Sequence, residues 1–425
     1  RALAAALPAG GRGGDAGGTV REVVIENDIA WRIQAMVDFM FGRPVSIVST
    51  ARDEAARERI ELVIDRVFEA SGGAGLLQDM ALLGAVHGHV GLLLRTEEFF
   101  EAAQADLGDG DGLDRALRLA ERLRVEIVEA PRSAPLLAAD DYRRIEALII
   151  RGELATAEAD GDQRGRSEIV EIHSARARQV YADERLVAQS VNRLGALPFA
   201  HIQNISQPFR FEGLSEVEPL IPLQDELNTR LSDRANRVTM QSFKMYLARG
   251  VDSLSADVRS GTPLKVGPGQ VWTTENTDAG IDAFGGDGES PSEDNHIEQI
   301  RQALDKTSSV TPIAAGVIRA RVGQLSSENA LRITMMGLLA KTARKQVTYG
   351  RGLTAIGGLI LRAMDIAGVM RIEARDMGLG VQWPDPLPRR ELEALEAAEA
   401  KERLGVPRDR VLAELGYAPS DLGVT

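Results

Sequence analysis

Two histidines separated by one residue are the first candidates for chemistry in this sequence. His87 and His89 flank Gly88 at the start of a predicted strand, where residues two apart project from the same face. Two imidazoles on one face could begin a zinc site, but such a site usually takes about four ligands. No Asp, Glu or further His lies nearby in the sequence to complete it. We therefore predict a structural role for the pair and no metal ion.

Two acidic pairs are candidates for general acid–base chemistry. Asp140-Asp141 and Asp225-Glu226 are more typical of a turn and of a solvated helix face, respectively, than of a catalytic pair. The sequence also lacks the Gly-Lys-Ser/Thr of a phosphate-binding loop, the G-x-S-x-G of a nucleophile elbow, and HExxH. We therefore predict no enzymatic activity and no cofactor.

An insert at 251–294 is rich in glycine and strongly acidic. It holds nine acids against two bases, a net charge of 2 − 9 = −7. One interpretation is a loop that keeps the protein soluble. The other is a surface along which a polyanion passes without being held. The acids are Asp252, Asp257, Glu275, Asp278, Asp282, Asp287, Glu289, Glu293 and Asp294.

The loop at 311–325 has the opposite charge. Its only charged residues are Arg319 and Arg321, which point the same way if the loop is extended. Two interpretations stay open: the arginines pair with acids of a neighbouring copy, or at least one contacts nucleic-acid phosphates transiently. Such phosphate contacts are individually weak and screened by salt.

Composition limits the class of protein. The 425 residues have a formal net charge of −13, so bulk charge argues against tight nucleic-acid binding, which depends on Lys and Arg neutralising phosphates. There is no cysteine, which excludes disulfides and thiolate metal sites and fits a reducing compartment. No run of 18 apolar residues predicts a membrane span. Residues 1–20 are predicted to be disordered.

A long helix is the main element predicted to position these segments. Residues 223–248 contain no proline or glycine and would span about 39 Å. A narrow apolar stripe runs along them and predicts packing beside other helices rather than burial within one globule. The stripe consists of Leu223, Leu227, Leu231, Ala235, Val238, Ser242 and Met245.

Other elements precede and follow that helix. Helices are predicted at 21–41, 51–70 and 76–86, an acidic loop at 97–114, and antiparallel strands at 125–128, 145–151, 167–173 and 177–181. A second helix, capped by Ser292, has the seam Ile297, Ile300 and Leu304 and ends before Pro312. A third runs from Ser326 or Ser327 to about Ala367, and its glycines 337, 350, 352, 357 and 358 predict bends.

The order of these elements resembles that of the portal, or connector, proteins of tailed double-stranded DNA bacteriophages. The segments that carry the resemblance are 27–47 with its Gly-Arg-Pro-Val ending, 211–250 with its Leu-Ser-Asp-Arg-Ala-Asn centre, 264–272, 295–312, 326–344 and 381–416. Each motif is modest, and it is their order and spacing that match. The chain after Gly416 is short for the family.

The resemblance implies a mixed α+β portal fold assembled as a ring, usually of twelve copies. Its parts would be a disordered segment (1–20), an α/β wing (21–212), stem helix 1 (213–250), a clip (251–292), stem helix 2 (293–310), a tunnel loop (311–326), a wing helix and strand (327–388) and a short helical crown (389–425). The ring would stand at one capsid vertex of the virion after assembly in the host cytoplasm.

The resemblance also implies partners: double-stranded DNA in the channel, the terminase packaging ATPase, a head–tail adaptor, and the major capsid and scaffolding proteins, with no membrane. Candidate residues for the DNA channel are Arg319, Arg321 and Gln324. Candidate residues for packing between stems are Leu223, Leu227, Leu231, Val238, Met245, Ile297, Ile300 and Leu304. Candidate residues for docking at the clip are Glu275, Asp278, Asp282, Asp287 and Glu289.

Two alternatives to a portal were weighed. The first is a non-catalytic helical scaffold or adaptor that uses its long helices as a coiled coil. The stripe mixes spacings of three and four and is not sustained long enough to favour a coiled coil. The second is an enzyme acting on nucleic acid, which would need a carboxylate cluster or a nucleotide loop that the sequence does not display. The mass of the native particle distinguishes a ring from a small oligomer.

Overall fold

The computed structural model describes residues 22–106, 112–156, 165–242, 245–249, 278, 280–284, 291–315, 328–387, 391–406, 408 and 411–412. The chain divides into two compact units. The first comprises residues 1–27 and 222–304, and the second comprises residues 28–221 and 305–425. Within the described residues both units mix helices with antiparallel strands.

The helices are α1 Asp28–Phe41, α2 Glu54–Ala70, α3 Gly73–His87, α4 Glu97–Ala105, α5 Gly112–Ala120, α6 Ile221–Ser242, α7 Pro291–Ser308, α8 Glu328–Thr334, α9 Met336–Ile366 and α10 Glu391–Arg403. The strands are β1 Ser46–Ser49, β2 His89–Arg95, β3 Arg124–Glu129, β4 Ser133–Leu137, β5 Ile145–Thr156, β6 Gly165–Ser174, β7 Ala177–Ala182, β8 Arg185–Val191, β9 Phe199–Gln203, β10 Met245–Arg249, β11 Gly280–Phe284 and β12 Leu379–Gln382.

The core of the second unit lies between helices and a three-stranded sheet. That sheet has the order β3-β2-β9, and β2 is buried along its central residues because helices cover it. A separate five-stranded sheet has the order β4-β5-β6-β7-β8, with every neighbouring pair antiparallel. The prediction of antiparallel strands is confirmed, but 125–128 was predicted to share a sheet with 145–151, 167–173 and 177–181, and it lies instead in the three-stranded sheet as β3. Strands β4, β8 and β9 join those that the pattern indicated.

Helix α9 is the central element of this core. Tyr349, Leu353, Ile356 and Ile360 follow one helical face and are fully buried. They join the same apolar cluster as residues of α2, α3 and β2. A helix of 31 residues that buries so much of its length fixes the elements around it.

The glycines of α9 serve close packing. The chain is α-helical without interruption from Met336 to Ile366, and the break in the predicted helix falls at Met335 rather than at a glycine. A Cβ at Gly352 would collide with the side chain of Ile202, and one at Gly357 would collide with Leu379. The glycines were predicted to bend the helix; at Gly352 and Gly357 their small size lets a strand approach the helix axis.

The segment 97–114 was predicted to be a loop, and the structure corrects this. It contains helix α4 and the beginning of α5, with residues 107–111 outside the described part. Phe99 and Phe100 are buried on α4, and Ala116, Leu119 and Ala120 are buried on α5. The acids and glycines dominated the local pattern, whereas burial of these few apolar residues decided the outcome.

The long helix α6 ends earlier than predicted. It stops at Ser242, and Met245–Arg249 forms a strand that pairs antiparallel with Gly280–Phe284. Met245 lies opposite Phe284, so it is not part of the helical stripe. A partner strand more than thirty residues away supplies these backbone hydrogen bonds, and a helical periodicity cannot reveal it.

Smaller differences concern helix ends. Helix α7 begins at Pro291, so Ser292 lies inside its first turn instead of capping it. The helix ends at Ser308, before Pro312, as predicted. The segment 264–272, which carries part of the family resemblance, lies outside the described residues, as do residues 1–20.

Two glycines of α9 provide a matched test of the packing. We expect Gly352→Ala to lower the free energy of unfolding by about 1–3 kcal/mol, because the added methyl group must displace Ile202. Gly358 has open space where its Cβ would lie, so Gly358→Ala should be neutral or stabilising by up to about 1 kcal/mol through helix propensity. Urea denaturation of both variants checks this, and equal effects would contradict the close-packing role.

Candidate functional site

An antiparallel helix pair in the first unit is the candidate site for assembly. Helices α6 and α7 are joined by ion pairs between Arg234 and Asp294 at 2.9 Å, between Arg237 and Glu293, and between Glu226 and His296 at 3.6 Å. As the residue number rises along α6 it falls along α7, so the two helices run in opposite directions. These pairs are largely exposed, so each stabilises the helix pair only slightly.

The apolar residues of the two helices fall into two groups. Leu227, Ile297, Ile300 and Leu304 are at most 6% exposed in a single chain. They were predicted to pack between copies; within one chain they are already covered, and packing between copies stays a prediction for them. Val238 is 45% exposed, and Leu223 and Leu231 are half-buried, so these three leave more apolar surface for such a contact.

A buried ionic cluster lies in the second unit, just before the start of α6. Glu216 is 4% exposed, and its two carboxylate oxygens lie 2.6 Å from the Nζ atoms of Lys345 and Lys341. Asn204 donates a hydrogen bond to Glu216 Oε1 at 3.0 Å and accepts one from the Tyr349 hydroxyl at 3.0 Å. We call Glu216, Lys341, Lys345, Asn204 and Tyr349 the ionic anchor.

Burial and charge act against each other in the ionic anchor. Desolvation alone would raise the pKa of Glu216, but the charges and hydrogen bonds of Lys345 and Lys341 outweigh it and lower that pKa to about 2. Burial lowers the pKa of the Lys345 ammonium and raises that of the Tyr349 hydroxyl. The carboxylate is therefore ionised at neutral pH, and its removal would leave two buried lysines facing no anion.

The ionic anchor holds two parts of the chain: the segment that leads into α6 and the end of α7. Glu216 precedes α6 by a few residues, and its N–H donates to the Ala85 carbonyl at 2.8 Å. Lys341 Nζ donates to the carbonyl of Ser308, the last residue of α7, at 2.9 Å. Arg32 of α1 pairs with Asp305 at 2.5 Å. One face of α9 therefore fixes the entry to α6 and the end of α7.

Sequence reasoning missed the ionic anchor, although a signal was present. Lys341, Lys345 and Tyr349 follow one another at four-residue spacing and continue the buried face of Leu338 and Leu353. Lysines at core positions indicate a buried partner, because an unpaired buried ammonium is costly. The identity of the partner, Glu216, is not readable, since it lies more than a hundred residues away.

The close approach of two loops at the anchor requires glycine. Gly88 has a φ of 85°, and a Cβ there would collide with the carbonyl of Gly213. The Gly88 carbonyl accepts a hydrogen bond from Asn204 N–H at 2.8 Å, and the Ser215 hydroxyl donates to the Val86 carbonyl at 2.7 Å. The end of α3 is thereby tied to the segment before α6.

His87 and His89 lie on different elements, since His87 is the last residue of α3 and His89 the first of β2, so the prediction that they share one strand face is wrong. His89 packs instead against His201. The His89 ring lies 5.3 Å from that of His201, which stacks on Phe211 at 3.9 Å. His201 Nε2 donates to the Phe211 carbonyl at 2.8 Å, and burial lowers the pKa of His201 to about 4. Both imidazoles help to fix the loop before α6. Among the described residues no group of three or more His, Asp or Glu side chains could hold a metal ion.

A cavity of about 300 Å³ between α4 and the five-stranded sheet is the main alternative site. Several of its polar groups are already paired: Arg178 contacts Glu97 at 3.5 Å and Glu171 at 3.1 Å, and His173 Nε2 lies 3.0 Å from Glu171. These contacts and Arg95 hold the pKa of Glu171 well below its ordinary value against the effect of burial. The arrangement braces α4 against the sheet and offers no activated nucleophile.

The remaining predicted site residues are only partly described. Asp278 is exposed, and Asp282 lies on β11 opposite Leu247. Glu275, Asp287, Glu289, Arg319, Arg321 and Gln324 lie outside the described residues. None of the helices in the described part is long and apolar enough to cross a membrane.

Comparisons with known proteins identify a family. The model of the family described as phage portal protein, SPP1 Gp6-like, matches residues 33–415. A chain in the neck of an empty gene transfer agent particle, a structure computed with C6 symmetry, superposes with a TM-score of 0.52 at 11% identity, covering 92% of this chain and 91% of that one. A chain of the virion of a native gene transfer agent particle gives a TM-score of 0.46 at 10% identity, with coverage of 92% and 89%. No curated protein matches the sequence.

The ionic anchor predicts a large effect of one substitution. We expect Glu216→Gln to lower the free energy of unfolding by roughly 3–5 kcal/mol, because it leaves a buried positive charge uncompensated. Glu218→Gln, at an exposed position nearby, should change it by less than about 0.5 kcal/mol. Urea denaturation at pH 7 measures both, and similar midpoints for the two variants would contradict the anchor.

The pH dependence of the stability tests the ionic anchor independently. The folded-state pKa of Glu216 is lowered from 4.5 to about 2. The contribution of this carboxylate to the free energy of unfolding is therefore complete above pH 4.5 and is lost as the pH falls towards 2. The wild-type protein should lose stability more steeply across this window than Glu216→Gln.

Proposed function

Because the chain belongs to the SPP1 Gp6-like phage portal protein family, we propose that copies of it form a closed ring at one vertex of a capsid, through which double-stranded DNA is packaged and later ejected. The match over residues 33–415 carries this proposal, because it spans both units rather than one local motif. The resemblance in fold to a chain in the neck of a gene transfer agent particle supports it. The role is structural and non-catalytic.

We propose that the described elements form the parts of a portal subunit. Stem helix 1 would be α6, which ends at Ser242, and stem helix 2 would be α7. Strands β10 and β11 would form the base of the clip, because β10 ends just before the acidic insert and pairs with β11 inside it. The wing comprises the remaining elements up to residue 212 together with α8, α9 and β12. Residues 311–326 form the tunnel loop, and α10 belongs to the crown.

The helix pair supports a stem because its apolar residues differ in exposure. Four of them are covered within one chain. Val238, with Leu223 and Leu231, leaves a smaller apolar strip on α6 for the next copy. A ring of such head-to-tail contacts closes when the rotation per copy is right, and the family suggests twelve copies.

The charges fit a conduit for a moving polyanion. The acidic insert and the net charge of −13 disfavour tight binding of DNA, which would stall its passage. We further propose that the clip, through Glu275, Asp278, Asp282, Asp287 and Glu289, docks the terminase motor during packaging and the head–tail adaptor afterwards. Capsid and scaffolding proteins would surround the wing.

Ring formation can be tested at Val238. We expect Val238→Asp to abolish rings at concentrations where the wild type forms them, because a charge in each interface costs at least about 1.4 kcal/mol per contact, a factor of about ten. Val238→Ile should keep the ring. Native mass measurement and negative-stain images give the copy number, and rings of normal size from Val238→Asp, with an unchanged circular dichroism spectrum, would contradict the stem contact.

Passage of DNA can be tested at the tunnel loop. We propose that Arg319 or Arg321 faces the channel and contacts phosphates transiently, with Gln324 beside it. Changing both arginines to alanine should reduce the DNA retained in filled heads, and the deficit relative to the wild type should be largest at low salt and shrink as salt rises, because salt screens the contacts that the wild type makes. Arg351→Ala, at an exposed position on α9, serves as the control. Retention equal to the wild type at every salt concentration would show that the loop does not grip DNA.

A further inference from the structure

An extended segment before α1 runs along α6 in the first unit, and we call residues 22–26 the arm. Four polar residues of α6, Gln224, Asn228, Ser232 and Asn236, contact it, and we call them the polar row. Asn236 accepts from Glu22 N–H at 2.7 Å and donates to the Glu22 carbonyl at 2.9 Å. Ser232 accepts from Val24 N–H at 3.0 Å, and its hydroxyl, which donates to the Asn228 carbonyl at 2.7 Å, lies 3.3 Å from the Val24 carbonyl. Asn228 accepts from Glu26 N–H at 3.0 Å, and Gln224 donates to the Glu26 carbonyl at 2.7 Å.

The regular spacing has a geometric origin. Residues four apart on a helix are separated by about 6 Å along its axis. Residues two apart on an extended strand advance about 6.6 Å. A row of polar side chains at every fourth helix position therefore stays in step with every second residue of an extended chain over several repeats. The arm runs antiparallel to α6, since Glu22 meets Asn236 and Glu26 meets Gln224 and Asn228.

The polar row contacts backbone atoms alone. In an extended chain the N–H and C=O groups of one residue point to the same side and those of the next residue to the other. The backbone groups of residues 22, 24 and 26 face the polar row, so those of Val23 and Ile25 face away. The side chains of Val23 and Ile25 are 67% and 72% exposed, which means that they contribute little to this contact.

Side-chain contacts fix the arm only at its two ends. The Thr239 hydroxyl donates to the Glu22 carboxylate at 2.9 Å. Arg301 of α7 pairs with the Glu26 carboxylate at 2.7 Å. The second contact joins the arm to the other helix of the pair, so the arm touches both α6 and α7.

We propose that the polar row is a binding site for extended polypeptide backbone, and that its ligand is the arm of the same chain. The site recognises alternate backbone groups, and the ends of the arm set the register through Glu22 and Glu26. The arm is a third element of the stem that fastens α6 to α7. This inference concerns the first unit alone and does not depend on ring formation or on DNA.

A proline scan tests backbone recognition with matched controls. Proline removes one N–H while it remains compatible with extended backbone. Val24→Pro removes the N–H that donates a hydrogen bond to Ser232. Val23→Pro and Ile25→Pro remove N–H groups that face away from the polar row. Because the chain has no cysteine, Glu22→Cys and Thr239→Cys can be introduced and joined by a short bis-maleimide to report docking of the arm.

The expected result is a high yield of cross-link within one chain, reduced about tenfold by Val24→Pro and less than about twofold by Val23→Pro or Ile25→Pro. Equal yields from the three proline variants would overturn the proposal. Products that link two chains would overturn the assignment of the ligand to the same chain.

Two further measurements avoid any dependence on the proline variants. In the unmodified protein, residue-resolved hydrogen exchange should be at least about tenfold slower at the Val24 amide than at the Val23 and Ile25 amides, and equal rates would contradict the proposal. Asn228→Ala should reduce the cross-link yield about fivefold to tenfold, whereas Thr229→Ala should not. Thr229 is the matched control because its hydroxyl donates to the Asp225 carbonyl of its own helix. An equal reduction of the cross-link yield by Asn228→Ala and Thr229→Ala would also overturn the proposal.

Discussion

The buried carboxylate of Glu216 is the interaction on which the rest of the structure depends. Two lysines of α9 and the amide of Asn204 surround it, and all are removed from water. Burying such charges is unfavourable unless each has its partner at the right distance, so the cluster enforces one arrangement of the segments that carry it. Those segments are the turn before α6, the end of α7 and the first half of α9.

Helix α9 combines that electrostatic role with the packing of the core. Its buried apolar face packs in the core against α2, α3 and the three-stranded sheet. Its glycines leave room for the side chains of Ile202 and Leu379 to pack directly against the helix. The histidines at 89 and 201 and the glycines at 88 and 213 add short contacts that keep the preceding loop in one conformation.

The helix pair stabilises itself in a different way. Its buried apolar residues and its exposed ion pairs are supplemented by the arm, whose backbone satisfies a row of polar side chains on α6. That row explains why α6 carries so narrow an apolar stripe: part of its polar surface faces another segment of the chain rather than water. A helix that binds backbone through Asn, Ser and Gln tolerates substitutions in the arm, because little of the contact depends on the arm's side chains.

The sequence by itself determined the elements whose signals are local and the family to which the chain belongs. Periodicity located most of α6, α7 and α9, the ends at Gly42-Arg43-Pro44 and Pro312 were readable, and the order of segments indicated a portal before any fold was known. The tertiary structure decided whatever depends on distant partners. Strand β10 exists because residues 280–284 pair with it, and α4 forms because Phe99 and Phe100 are buried. Leu227, Ile297, Ile300 and Leu304 are covered within one chain, and Lys345 finds Glu216 across more than a hundred residues. A local pattern states which side chains seek burial or a partner, whereas only the folded chain determines which residue satisfies each of them.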